Sequence, residues 1–154
     1  MPRVITAFLA RDVLVDSQSN HVTAYSILEE IAVPPDAFTT SDKERSIANG
    51  DFVLFALISW EWPVDEPPSP LKLSANVRTA GGNESPLTEL DINQKGDLRR
   101  RSRAILRSEG LLIDQPGIYV FEIRLNDELA AEVPLRVSAL KTSHKPADSA
   151  PADS

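Results

Sequence analysis

Apolar and polar residues alternate most regularly between Gln115 and Val137, in the stretch QPGIYVFEIRLNDELAAEVPLRV. Successive side chains of a strand point to opposite faces. Tyr119, Phe121, Ile123 and Leu125 therefore form one apolar face, and Leu129, Ala131, Val133 and Leu135 form its match. Asn126-Asp127 lies between the two runs as a tight turn, so the stretch predicts a β-hairpin. The same period recurs from Val4 to Val15, where Ile5, Ala7, Leu9, Val13 and Val15 surround Arg11-Asp12 and predict one bent strand or two short ones. Val22 to Val33 fits a helix as well as a strand. The β-favouring Val22, Thr23 and Tyr25 tip it to a strand, which Pro34-Pro35 ends because proline offers no backbone donor. A helical turn is predicted at Ser41–Arg45, stopping at Asn49-Gly50.

Asp51 to Trp62 breaks the alternating rule. Phe52, Leu54, Ala56 and Ile58 make one face apolar, and Val53, Phe55 and Leu57 make the other apolar too. Such a strand must be covered on both sides, either centrally within the protein or by a second subunit. Leu71 to Thr79 alternates again, Leu87, Leu90 and Ile92 mark a weaker edge strand, and Arg103 to Ile113 follows with Gly110 as a bulge or bend. About eight strands joined by short, proline-punctuated loops predict an all-β fold, an immunoglobulin-like two-sheet antiparallel β-sandwich over residues 1–140. Tyr119, just after Pro116-Gly117 at the start of the penultimate strand, is expected to form a tyrosine corner, its hydroxyl bonding nearby backbone. Residues 141–154 carry no apolar side chain larger than alanine and repeat PADS, which predicts a disordered tail.

Composition narrows the chemistry. The absence of cysteine excludes disulfides, thiolate metal sites and a cysteine nucleophile, and favours the cytoplasm. Arg11-Asp12 interrupts the N-terminal apolar run before a signal-peptide core forms, and no run approaches the roughly 18 apolar residues of a membrane span. A soluble, cytoplasmic protein is expected. With 16 Lys and Arg against 23 Asp and Glu, the net charge of −7 disfavours nucleic acid and membrane partners.

Three local features remain as candidate sites. Arg99, Arg101 and Arg103 in RRRSRAILR would share a strand face, where guanidinium groups could clamp an anion or an acidic partner. The favoured reading is an edge strand kept charged against edge-to-edge pairing, since the segment lacks aromatics to stack on bases. Trp60 and Trp62 could form a flat platform for a sugar or another small ligand, although tryptophan at a strand end more often caps a core. Asp12, Asp16, Glu61, Asp65, Glu66 and Asp114 could gather around calcium from several loops, but their scatter favours simple solvation. His21 and His144 lack the partners of a catalytic dyad, and no phosphate loop occurs, so neither a catalytic residue nor a cofactor or metal is assigned.

The stretches AFLARDVLVD (Ala7–Asp16) and PGIYVFEIRLND (Pro116–Asp127), the latter containing PGxYxFxI, resemble a family of uncharacterised bacterial proteins known only as a domain of unknown function. The resemblance implies a β-sandwich and brings no activity. The expectation is a non-enzymatic interaction or assembly module with a protein partner, including a homodimer through Val53, Phe55 and Leu57. A small-ligand or carbohydrate-binding sandwich using Trp60 and Trp62 is the alternative.

Overall fold

The computed structural model describes residues 2–38, 47–61, 71–92 and 99–141. Within them lie nine strands: β1 Arg3–Val15, β2 Val22–Leu28, β3 Glu30–Val33, β4 Ile47–Glu61, β5 Leu71–Arg78, β6 Glu84–Ile92, β7 Arg99–Leu112, β8 Gly117–Leu125 and β9 Glu128–Ala139. A turn of 3-10 helix spans Pro35–Phe38, where the sequence predicts only loop. The strands form a β-sandwich of two sheets, one ordered β2-β1-β4-β7 and the other β3-β9-β8-β5-β6. Alternation explains the core between them. Leu9, Phe52, Leu54, Ala56 and Ile58 face Leu71, Leu73, Tyr119, Phe121 and Ile123, and all are buried. Phe52 meets Phe121 edge to face at 5.5 Å, a geometry that matches the positive edge of one ring to the negative face of the other.

Val22 to Val33 forms two strands rather than one, and they belong to different sheets. Ser26 adopts φ of 53°, outside the strand region, and β2 ends at Leu28. The chain then crosses over, and β3 pairs with β9 in parallel, with Glu30 beside Arg136 and Val33 beside Ala139. The crossing keeps its backbone satisfied: Arg136 N–H donates to the Glu29 carbonyl at 3.0 Å, and Leu140 N–H to that of Val33 at 2.7 Å. The sandwich is therefore not wholly antiparallel.

Two bulges displace expected positions. Asn49-Gly50, expected to stop a helical turn, lie inside β4, opposite Gly110 alone, because Ala48 pairs with Leu111 and Asp51 with Glu109. Gly110 takes φ of 91°, so the bulge expected there is present and draws on glycine's freedom at positive φ. The predicted turn at Ser41–Arg45 lies outside the described residues. In the β8–β9 hairpin Asn126 and Asp127 have φ of 51° and 66°, the two positive values of a tight two-residue turn. A register shift then follows, from Leu129 opposite Arg124 to Ala131 opposite Ile123. The extra residue turns Leu129 outward, where it is exposed rather than part of the inner face.

The tyrosine corner is present. Tyr119 is fully buried, and its hydroxyl accepts from the Asp114 N–H at 2.9 Å while its own proton faces the Gln115 carbonyl at 2.9 Å and Asp114 Oδ1 at 3.0 Å. Asp114 extends this contact into a knot. Thr79 Oγ1 donates to Oδ2, Asn83 Nδ2 donates to the same oxygen at 3.0 Å, and Gln115 N–H donates to Oδ1 at 2.7 Å. The β5–β6 turn is thereby tied to the β7–β8 connection. Gly117 lets the two approach: at its φ of 148° any Cβ would lie 2.7 Å from that of Ala80. Burial raises the Asp114 pKa, but the hydrogen bonds from Thr79, Asn83, Tyr119 and Gln115 outweigh it and leave the carboxyl below its ordinary 3.8. Burial, with the neighbouring carboxylate, pushes the Tyr119 hydroxyl up to about 12.

Two outcomes are expected. Tyr119→Phe removes the acceptor of the part-buried Asp114 N–H and should lower stability by about 1 kcal/mol, read as a fall in urea midpoint with unchanged slope. Because the folded pKa of Asp114 is depressed, its contribution is complete above the unfolded value and is lost as pH falls through the folded one. The stability gap between wild type and Asp114→Asn should therefore be widest near neutrality and should shrink below about pH 4; a gap that stays constant down to pH 2 would contradict the knot.

Candidate functional site

The second apolar face of β4 finds its cover within the chain. β1 pairs with β4 only as far as Ala10, and beyond that point the β1–β2 hairpin leans across the outer face of the sheet. Val13 joins Ala10, Val53 and Phe55 in a second buried cluster, packed against Phe8, Val22, Ala24, Leu57 and Ile105. The Phe8 and Phe55 rings stack at 4.9 Å. Two arginines of β7 hold the hairpin down. Arg107 donates to Asp12 Oδ1 at 2.7 Å and to the Val13 carbonyl at 2.9 Å, and Arg103 donates to Asn20 Oδ1 at 3.0 Å and to the Asn20 carbonyl at 2.6 Å. The Arg107 bond, with the Val13 N–H, holds Asp12 below the usual carboxylate range.

The sequence-predicted self-association face is thus occupied in the single chain. Val53 and Phe55 retain only 1% and 5% of their exposure, and Leu57 is half-buried. Of the two covers the sequence allows, the intramolecular one is realised. Phe55, Leu57 and Arg103 do come together, with Asn20, His21 and Val22, around an open recess of about 700 Å³. The guanidinium of Arg103 is already engaged there by Asn20. Arg99 and Arg101 pair in the ladder with Glu61 and Ser59, and β7 is the edge strand of its sheet among the described residues. Trp60 pairs with Arg100; its side chain, like all of Trp62, lies outside the described residues.

The acidic residues serve local structure where they are described. Asp12 binds Arg107, Asp16 accepts the N–H groups of Gln18 and Ser19 in the β1–β2 turn, and Asp114 closes the knot. Those turn bonds also depress the Asp16 pKa. Glu122 is buried on the outer side of β8, but Arg78 at 2.9 Å and Arg124 at 3.4 Å satisfy it. Among the described residues no group of three or more His, Asp or Glu is placed to hold a metal ion, and no helix is long and apolar enough to cross a membrane.

What sequence reasoning missed is a groove at the side of the sandwich where the chain passes from β2 to β3. It measures about 450 Å³ and its lining is mostly apolar, with Phe8, Leu9, Ile27, Leu28, Ile118 and Pro134, and includes Glu29 and Arg136. Ile27 is 59% exposed and Ile118 47%, large apolar side chains left in water beside an apolar floor. The available signal was Ile118, which stands opposite to the inward Tyr119 in an otherwise regular strand. That it lines one groove with Ile27 depends on the crossover between sheets, which the alternation does not reveal.

Fold and surfaces together define a two-sheet β-sandwich whose described polar clusters close the structure and whose apolar groove stays open. No model of a known protein family matches the chain, and no curated protein matches it. The resemblance carried by AFLARDVLVD and PGIYVFEIRLND rests on those residues alone.

Phe55→Ala should cost about 3–4 kcal/mol, the loss of a buried aromatic from a packed core, measured by urea unfolding. An exposed docking residue would cost far less. Replacing Arg103 and Arg107 together by alanine should speed amide exchange at Val13 and Ala24 while leaving exchange at Phe121 and Ile123 unchanged.

Proposed function

We propose that this domain is a non-enzymatic interaction module that receives a protein partner at the groove between the β2 edge and the β8–β9 face. The observation that carries this reading is the exposure of Ile27 and Ile118 on either side of one apolar floor. Burying exposed apolar surface is the general driving force of association, and a concave apolar patch that includes charged residues resembles the apolar core and polar rim of protein interfaces. Glu29 and Arg136, one charge of each sign, are the charged residues of its lining. The net charge of −7 weighs against nucleic acid or an anionic membrane as the partner. Three further points support a binding rather than a catalytic role: Asp12, Asp114 and Glu122 are each engaged by hydrogen bonds or ion pairs within the chain. The lack of cysteine suits a reducing, cytoplasmic setting.

A photo-crosslinking amino acid in place of Ile118 should give one discrete protein adduct in the cells that make this chain, and Ile27→Glu should abolish it. The same label at Leu129, equally exposed on the far end of the hairpin, should give none. Diffuse labelling of similar strength at both positions would sink the reading.

A further inference from the structure

The β1–β2 hairpin carries a polar tip over the outer face of the four-stranded sheet, and hydrogen bonds within the tip fix its shape. Asp16 N–H donates to the His21 carbonyl at 2.9 Å, Asn20 N–H donates to the Asp16 carbonyl at 2.8 Å, and the Asp16 carboxylate accepts from Gln18 and Ser19. Below the tip, the β4–β7 ladder sets Leu57 opposite Arg103. Directly opposed residues lie on one side of a sheet, as do residues two apart, so Phe55, Leu57 and Arg103 share that side. With Asn20, His21 and Val22 they line the open recess of about 700 Å³, and no carboxylate is among these residues.

Arg103 is held differently from other arginines of the chain. Arg78 and Arg124 meet Glu122, and Arg107 meets Asp12, so each of those charges faces a carboxylate. Arg103 instead donates to two neutral oxygens, Oδ1 and the carbonyl of Asn20. Those bonds orient the guanidinium and leave other N–H donors of its five unused, while its charge has no carboxylate partner among the described residues.

From this geometry we infer that the recess binds a small organic carboxylate, the anionic group on Arg103 and an apolar body on Phe55 and Leu57. The inference is independent of the protein-docking reading, because the recess and the groove share no lining residue. Charge selects the class of ligand. Guanidinium and carboxylate form charge-assisted hydrogen bonds, about twice as strong as neutral ones, and an amine would be repelled. Size selects a small molecule, since the recess falls within the roughly 300–1,000 Å³ typical of such sites. The Asn20 bonds lower the cost of binding, because the Arg103 side chain is ordered in advance. Arg103 is exposed to water, which screens its charge, so a carboxylate of about ten non-hydrogen atoms should bind with a dissociation constant of about 1 mM.

Titration of the full chain with 3-phenylpropionate, from about 0.1 to 20 mM at constant ionic strength and followed by amide NMR shifts, tests this. Saturable shifts should centre on His21, Val22, Leu57 and Arg103. 3-Phenylpropionamide, the same body without the charge, should bind at least tenfold more weakly. Arg103→Gln should lose affinity by a similar factor, but it also removes a tie to the hairpin, so Asn20→Asp is the deciding variant. Aspartate tolerates the left-handed backbone that Asn20 adopts at φ of 61°, keeps the contact with Arg103 and neutralises its charge. Asn20→Asp should cost at least tenfold in affinity while amide exchange at Val13 and Ala24 stays as slow as in wild type. Shifts that do not saturate, shifts centred on the groove at Ile27 and Ile118, equal binding of the amide, or an Asn20→Asp chain that binds like wild type would each overturn the inference.

Discussion

A strand that is apolar on both faces has to be covered on both, and β4 imposes that condition on everything around it. Burying a side chain such as Leu54 or Phe55 is worth about 2–3 kcal/mol relative to leaving it in water, so neither face can be left exposed without a penalty comparable to a good part of a domain's net stability. The five-stranded sheet meets one face through Phe121 and its neighbours. The β1–β2 hairpin meets the other, which requires β1 to leave β4 after Ala10 and lean over it. Arg103 and Arg107 then have a role that composition alone hides: their guanidinium groups reach from the edge strand to the hairpin and hold its cover in place. Exposed ion pairs contribute little by themselves, so the apolar contact supplies the energy and the arginines supply direction.

The same accounting locates the unused surface. Where β2 ends and β3 begins, the chain changes sheets, and neither sheet closes over the corner it leaves. Ile27 and Ile118 both line that corner, one from the sheet that the chain leaves and the other from the sheet that it joins. The proposed function falls on this side of the molecule, while Asp12, Asp16, Asp114 and Glu122 are engaged within the chain. Asp114 exemplifies the difference: a carboxylate accepting from Thr79, Asn83 and a backbone N–H is committed to holding two loops together.

Much of the fold was legible in the chain. Period-two alternation found β1, β5 and the β8–β9 hairpin, the doubly apolar run found β4, and Pro116-Gly117 before Tyr119 pointed to the corner that Asp114 and Gln115 complete. The errors share a cause. Leu129 was placed inward because a bulge inserts a residue without any sign in the apolar pattern, and Val22 to Val33 was read as one strand because a change of sheet leaves the local period nearly intact. Of the candidate sites, Val53, Phe55 and Leu57 were rightly marked as needing a cover, but pattern alone could not say whose residues would provide it.

By itself, then, the sequence determined where most of the strands lie, most of their apolar faces and that both faces of β4 need a cover, because these follow from backbone geometry and the aversion of apolar groups to water, both local properties. Only the tertiary structure decided that the hairpin folds back as the cover, that the chain crosses between sheets at Glu29, and that Ile27 and Ile118 line one groove. Those depend on which distant segments meet, and many pairings satisfy the same local pattern; packing both faces of β4 at once selects among them.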